Sequence, residues 1–217
     1  MTGLTQSPRI LKAGLVLVDP GSGQVQRIIS LQYNPDSLTR TLQVQGAGEG
    51  AERSEALRLK GPAIETLKLE AEIDAADQLE FPDQHRSEVE FGIQPQLAVL
   101  ETLLHPASSR LIENHAMANA GTLEIVPMES LLPLFVWSKS RIVPVRVTEF
   151  SITEEAFDPS LNPIRAKLSL GLRVLSVDDL GFDHKGGSLF MSYLQTKEQL
   201  AAKFAGGGFA ALGIGGI

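Results

Sequence analysis

Four histidines, His85, His105, His115 and His184, are the only imidazoles in 217 residues, and there is no cysteine. Nucleophilic and metal chemistry needs such groups at fixed spacing. HExxH puts two ligands on one helical face, GxSxG raises a serine on a strained turn, and GxxxxGK[ST] wraps phosphates in backbone amides. None of these patterns occurs, nor does HxH or HxxxH, so a metal centre would have to be gathered from distant segments. His105 stands before Pro106 at the end of an apolar helical repeat, where an imidazole ordinarily meets the last carbonyls. Glu70 and Glu72 could suggest a carboxylate pair or calcium ligands, but acids alternating along a strand make a solvated face, and no Asp-x-Asp-x-Asp-Gly loop is present. Pro20-Gly21-Ser22-Gly23 has neither the lysine nor the following helix of a phosphate cradle and reads as a turn. The expectation is a protein without catalytic residues, cofactor or metal.

Composition bounds the remaining classes. A formal net charge of −7 disfavours a nucleic-acid surface, which needs clustered Lys and Arg. No stretch approaches the roughly 18–20 apolar residues that span a bilayer. The opening MTGLTQSPRILKAGLVLVDPGSG lacks a secretory core, because Asp19 and Pro20 interrupt it, so cytoplasmic synthesis is expected. Absence of cysteine excludes a disulfide scaffold and permits a reducing compartment.

The elements follow from hydrophobic period. Apolar runs at 14–19 and 25–33 flank the PGSG turn as an amino-terminal hairpin. Asn34-Pro35 then breaks extended structure, which resumes at Leu38. Residues 45–60 mix glycine with Glu49, Glu52 and Glu55 and read as a loop. From Leu67 to Asp74, Leu67, Leu69, Ala71 and Ile73 alternate with Lys68, Glu70, Glu72 and Asp74, a strand with one packed and one wet face. Residues 94–104 give the clearest helix, with Pro95 in its first turn and Leu97, Leu100, Leu103 and Leu104 as its buried stripe. Short strands are expected at 122–126 and 134–138, the latter holding Trp137, the single tryptophan, as a partly buried anchor.

The most telling stretch runs from Pro133 to Ser176. Ile164, Ala166, Leu168, Leu170, Leu172 and Val174 share one parity; Arg165, Lys167, Ser169, Gly171 and Arg173 share the other. Residues 141–152 form the facing arm of a wide hairpin whose turn is Asp158-Pro159-Ser160-Leu161-Asn162-Pro163. Pro144 lacks a ladder donor, which predicts an edge position or a bulge there. Beyond it, residues 188–204 form an irregular amphipathic helix with Leu189, Leu194, Leu200 and Phe204 on its apolar side. The glycine-rich end spaces Phe209, Leu212, Ile214 and Ile217 as a docking tail. The boundaries expected are a β domain over 1–176 and a carboxy-terminal helix and tail over 177–217.

LQYNPDSLTRTL (31–42), LKLEAEIDAAD (67–77) and PLFVWSKSRIVPVRVTEFSITEEAFDPSLNPIRAKLSLGLRVL (133–175) together resemble the tube-initiator or hub-adaptor family of contractile injection systems, which are phage-tail-like machines. The resemblance implies a mainly β fold with flanking helices (α+β), a tail-tube-like β-sandwich or half-barrel whose long hairpins join copies into a hexameric ring. It implies a structural role, with the ring seated between a trimeric VgrG-like spike and the inner-tube protein and touching other baseplate or wedge proteins. Assembly would occur in the bacterial cytoplasm, within a particle that is released or retained. Subunit contacts are then expected at Tyr33, Asn34, Pro35, Trp137, Arg141, Arg146, Glu149, Phe157, Asp158, Arg165, Lys167 and Arg173. The basic parity of 165, 167 and 173 would face either the lumen or the acidic strand of Glu70 and Glu72. Relatives often add a LysM module, for which the residues from Val177 onward are too few and too glycine-rich.

Two other readings keep the same elements. The chain could be the repeating inner-tube subunit itself, or a ligand-binding β-sandwich such as a carbohydrate module using Tyr33, Trp137 and the Glu face. Aromatics amount to only 6% and cluster on no one strand face, which weighs against the second.

Overall fold

The computed structural model describes residues 11–46, 58–119, 121 and 130–216. Alternating sequence writes its central strands. β7 (Pro163–Val174) buries Ala166, Leu168, Leu170, Leu172 and Val174, and β4 (Ile64–Asp74) buries Leu67, Leu69 and Ala71. Their antiparallel register sets Leu67 opposite Leu172, Leu69 opposite Leu170 and Ala71 opposite Leu168. Each fully buried leucine contributes about 1.5–3 kcal/mol, and a slip of one residue would turn every one of them to solvent.

Around this pair the described strands make one antiparallel seven-stranded sheet. β1 (Gly14–Val18) and β2 (Val25–Ser30) form the amino-terminal hairpin, β3 (Leu38–Gln43) resumes after Asn34-Pro35, and β5 (Leu132–Ser138) and β6 (Arg141–Phe157) follow the helices. The order is β2-β1-β5-β6-β7-β4-β3. A cavity of about 10 Å³ is lined by Leu15 and Phe135 from one end of the sheet and by Leu69 and Leu170 from the other, so the sheet curls around a shared core. The fold is thus α+β, with the long hairpin at its centre and helices on its flanks.

β6 explains the curl. Its first residues pair with β5 as far as Pro144, and from Val145 onward it pairs with β7 instead. Pro144 therefore marks a change of partner rather than a bulge, and its carbonyl accepts from the Leu175 N–H at 2.9 Å. The bulge comes four residues later, at Thr148, where the ladder steps from Val147–Leu172 to Glu149–Gly171. Apolar parity changes with it, from Val143, Val145 and Val147 to Phe150 and Ile152. Gly171 makes room: a Cβ there would lie 2.9 Å from the Glu149 Cβ.

Helix α1 (Ala76–Leu79), α2 (Arg86–Phe91), α3 (Gln94–Glu101) and α4 (Ser108–Asn119) lie between β4 and β5. Leu97 and Leu100 cover the core as the apolar stripe predicts, Ile93 joins them from just before the helix, and Leu103 packs half-buried against it. Leu104 does not join them. The chain leaves the α-helix after Glu101 through tight turns, Leu103 N–H to Leu100 and Leu104 N–H to Glu101, which swing Leu104 outward. α5 (Val177–Leu180) starts with a capping box of Ser176 and Asp179, and α6 (Lys185–Ala201) follows it. The buried side of α6 is Phe190 and Tyr193, both in the main core; Leu189 and Leu194 flank it, while Leu200 and Phe204 are exposed. That corrects the predicted stripe, because the helix begins at Lys185 and two buried glycines, Gly186 and Gly187, set its close approach to α5. A 3-10 turn at Phe209–Leu212 is the last element of the described chain. The strand expected at 122–126, most of the glycine-rich acidic loop and Ile217 lie outside the described residues.

Candidate assembly surface

The tip of the β6–β7 hairpin is built by one carboxylate. Asp158 accepts from the Ser160 N–H at 2.7 Å, the Asn162 N–H at 2.8 Å and the Asn162 Nδ2 at 2.8 Å. Those bonds hold the Asp158 carboxyl below its ordinary value, the Asn162 side chain contributing most. Asn162 also braces the tip against the helices, donating to the Glu90 carbonyl and accepting from Gln94. Between α2 and α3, Gly92 has φ +58° and would drive a Cβ into the Pro163 carbonyl, while the Ile93 N–H donates to that same oxygen at 2.9 Å. The tip is therefore rigid, and on it Leu161 is held at φ +66° with 77% of its surface exposed. Phe157, at the end of β6, is also exposed.

One side of β6 has no ladder from Val145 to Phe157 among the described residues, and the outer sides of β2 and β3 are likewise unpaired. An open edge of this length is a template for another strand. Arg146 and Glu149 lie on it, both exposed; Arg146 sits opposite Arg173, and Glu149 bonds Lys68 at 3.0 Å.

The basic parity of β7 is matched within the chain. Arg165 contacts Asp74 at 2.6 Å and Glu72 at 3.6 Å, Lys167 contacts Glu155 at 3.0 Å, and Arg173 contacts Asp179 at 2.8 Å. Hydrogen bonding to Asp74 raises the Arg165 pKa above its ordinary value. Of the three, Arg165 meets the acidic strand β4, whereas Lys167 pairs with Glu155 on β6 and Arg173 with Asp179 on α5.

The Tyr33-Asn34-Pro35 turn is an internal clasp. The Asn34 Oδ1 accepts from the Ala13 N–H at 2.9 Å, and its Nδ2 donates to the Leu11 carbonyl at 2.7 Å. Next to it the Gln32 amide exchanges two bonds with the backbone of Asp74, at 2.7 and 3.0 Å. Tyr33 itself points outward. Trp137 falls at the β5 bulge, half-buried, with its ring 5.9 Å from that of Phe135; Arg141 pairs opposite Ser138 beside it. In the tail, Phe209, Leu212 and Ile214 are all exposed, and the 3-10 turn is closed by the Ile214 N–H bonding the Phe209 carbonyl.

One group escaped sequence reasoning. Glu65 on β4 is only 3% exposed, yet it contacts Arg40 at 2.8 Å, Lys197 at 2.9 Å and the Tyr193 hydroxyl at 3.1 Å. Lys197 also stands 4.1 Å above the Tyr193 ring. Burial would raise the Glu65 pKa, but hydrogen bonds from Lys197 and Arg40 outweigh it and the value is lowered. The available signal was a glutamate at Glu65 on the same parity as Leu67 and Leu69.

Among the described residues the concavities are small. Besides the core void there is an open groove of about 140 Å³ lined by Lys139, Ser140, Ile142, Leu189, Ser192, Tyr193 and Thr196, below the roughly 300–1,000 Å³ of ligand pockets. Among the described residues no three metal-ligating side chains converge, and no helix is long and apolar enough to cross a membrane.

No protein-family model matches the chain, and no curated relative does. Among solved structures it is similar to a chain from the tail of an empty GTA particle, computed with helical refinement and C6 symmetry. The TM-score is 0.29 and the identity 10%, over 75% of this chain and 90% of that one.

Proposed function

We propose that this chain is a non-enzymatic structural subunit of a phage-tail-like particle, a ring-forming hub adaptor that starts the inner tube on a trimeric spike. The observation that carries the reading is that, among the described residues, one side of β6 from Val145 to Phe157 has no ladder and the outer sides of β2 and β3 are open. Unlike edges on one chain suit a head-to-tail contact, which closes into a ring when the rotation permits. The resemblance of residues 31–42, 67–77 and 133–175 to tube initiators supplies the particle and the partners. Six copies would complete one another's sheets, each obligate contact burying on the order of 2,000 Å² or more.

Assembly takes place in the bacterial cytoplasm on this reading, with the spike on one side of the ring and the inner-tube protein on the other. Images of purified particles test it. Six copies in one layer between spike and tube are expected. Many layers would make the chain the repeating tube subunit, and full-length tubes still attached to spikes after deletion of the chain would overturn the proposal.

A further inference from the structure

Leu161 carries two penalties at once. Its φ of +66° is a conformation in which glycine is favoured, and its apolar side chain stands in water. The tip does not drift there: the Asp158 carboxylate and the Asn162 braces fix it. A rigid segment that holds a large apolar side chain outward in a disfavoured conformation is a preorganised knob.

At the other end of the same strand lies a socket. The groove of about 140 Å³ has Ile142, Leu189 and Tyr193 as its apolar lining and Lys139 among its polar neighbours. It is of a size to take a branched four-carbon side chain. Charges match as well. The Asp158 carboxylate stands at the tip in the same turn as the knob, and Lys139 and Arg141 flank Ile142 at the socket. Knob and socket sit near opposite ends of β6, up to about 50 Å apart at roughly 3.3 Å per residue, so they cannot meet within one chain.

We infer that Leu161 at the hairpin tip of one copy seats in the groove of Ile142, Leu189 and Tyr193 on a second copy of this chain. The inference rests on the ring-forming reading and names the side-chain contact that locks neighbouring copies. It is heterologous, since each copy offers one knob and one socket.

Sedimentation velocity over a concentration series tests this with the full chain. Wild-type protein should self-associate. Leu161→Gly should weaken association at least tenfold while its melting temperature stays equal or rises, because glycine relieves the backbone at +66°. Ile142→Glu should weaken association similarly. A mixture of the two variants should form one-to-one dimers that grow no further, since one retains the socket and the other the knob. If Leu161→Gly associates as tightly as wild type, the contact is wrong and the ring reading stands. If wild type stays monomeric throughout, the contact is also wrong, and copy number in assembled particles then judges the ring reading alone.

Discussion

Tyr193 on α6 donates its hydroxyl hydrogen to Glu65 on β4, 128 residues earlier in the chain, across 3.1 Å. The same carboxylate holds Arg40 and Lys197, so one buried charge ties β3, β4 and the carboxy-terminal helix into a single unit. Removing it leaves two cations without a counter-charge. Both are about a quarter to a third exposed, which screens the loss, so Glu65→Gln should cost about 2–3 kcal/mol. Tyr193→Phe removes the hydroxyl's bond to Glu65 and the one it accepts from Arg40 at 3.2 Å, and keeps the ring under Lys197, for about 1–2 kcal/mol. Urea unfolding should show the midpoint falling in that order with an unchanged slope.

The network also gives a pH dependence with a defined sign. The folded Glu65 pKa lies below its ordinary 4.5, so the unfolded chain binds this proton more readily. Its contribution is fully present above about 4.5 and is lost as pH falls through the folded value. Other carboxylates titrate there as well, so the readout is the difference between wild type and Glu65→Gln. That gap should be constant from pH 8 to 5 and shrink below 4.5, by no more than about 1.4 kcal/mol per pH unit.

The two parities of β7 should respond oppositely to an added acid. Leu168 is 2% exposed and opposite Ala71 in the core, so Leu168→Asp buries an unpaired charge and should leave no folded monomer by circular dichroism. Lys167→Glu sits on the wet face, where it loses Glu155 and meets Glu72 across the ladder. The monomer should remain folded with a melting temperature lowered by about 2–4 °C. Ring formation should suffer more than stability, and an equal loss of both would show that this face serves only the monomer.

The long hairpin was legible because its period is two and its apolar set falls on one face, and β4 was legible for the same reason. The Thr148 bulge is also written in the sequence, as a shift of apolar residues from odd to even positions after Val147, but Pro144 drew the expectation away from it. Local pattern could not show which residues of residues 188–204 would be buried, since the start of α6 is set by the Gly186–Gly187 approach to α5, a tertiary event. Helix α4 received no assignment: none of its residues is buried, and Leu111 and Ile112 stand exposed, so no core demanded its pattern. In the Tyr33-Asn34-Pro35 turn, expected at a subunit contact, Asn34 bonds Ala13 and Leu11, its neighbour Gln32 bonds Asp74, and Tyr33 stands exposed. Glu65 was invisible because its partners come from Arg40 and α6, far away in sequence.

The tail offers the sharpest separation of fold from attachment. Among the described residues nothing after Tyr193 and Leu194 on α6 contributes an apolar side chain to either core cluster, and Phe204, Phe209, Leu212 and Ile214 are all exposed. Lys197 still closes the Glu65 network, so a stop after Phe204 keeps every contact that holds α6 to the sheet. The truncated chain should therefore unfold at the same urea midpoint as the full chain. If the exposed apolar residues dock on a neighbour, its affinity for the spike or the inner-tube protein should fall at least tenfold in a pull-down titration, and mostly through faster dissociation. Unchanged affinity on both partners would remove the tail from the assembly surface and leave the β6 edge and the hairpin tip to carry it.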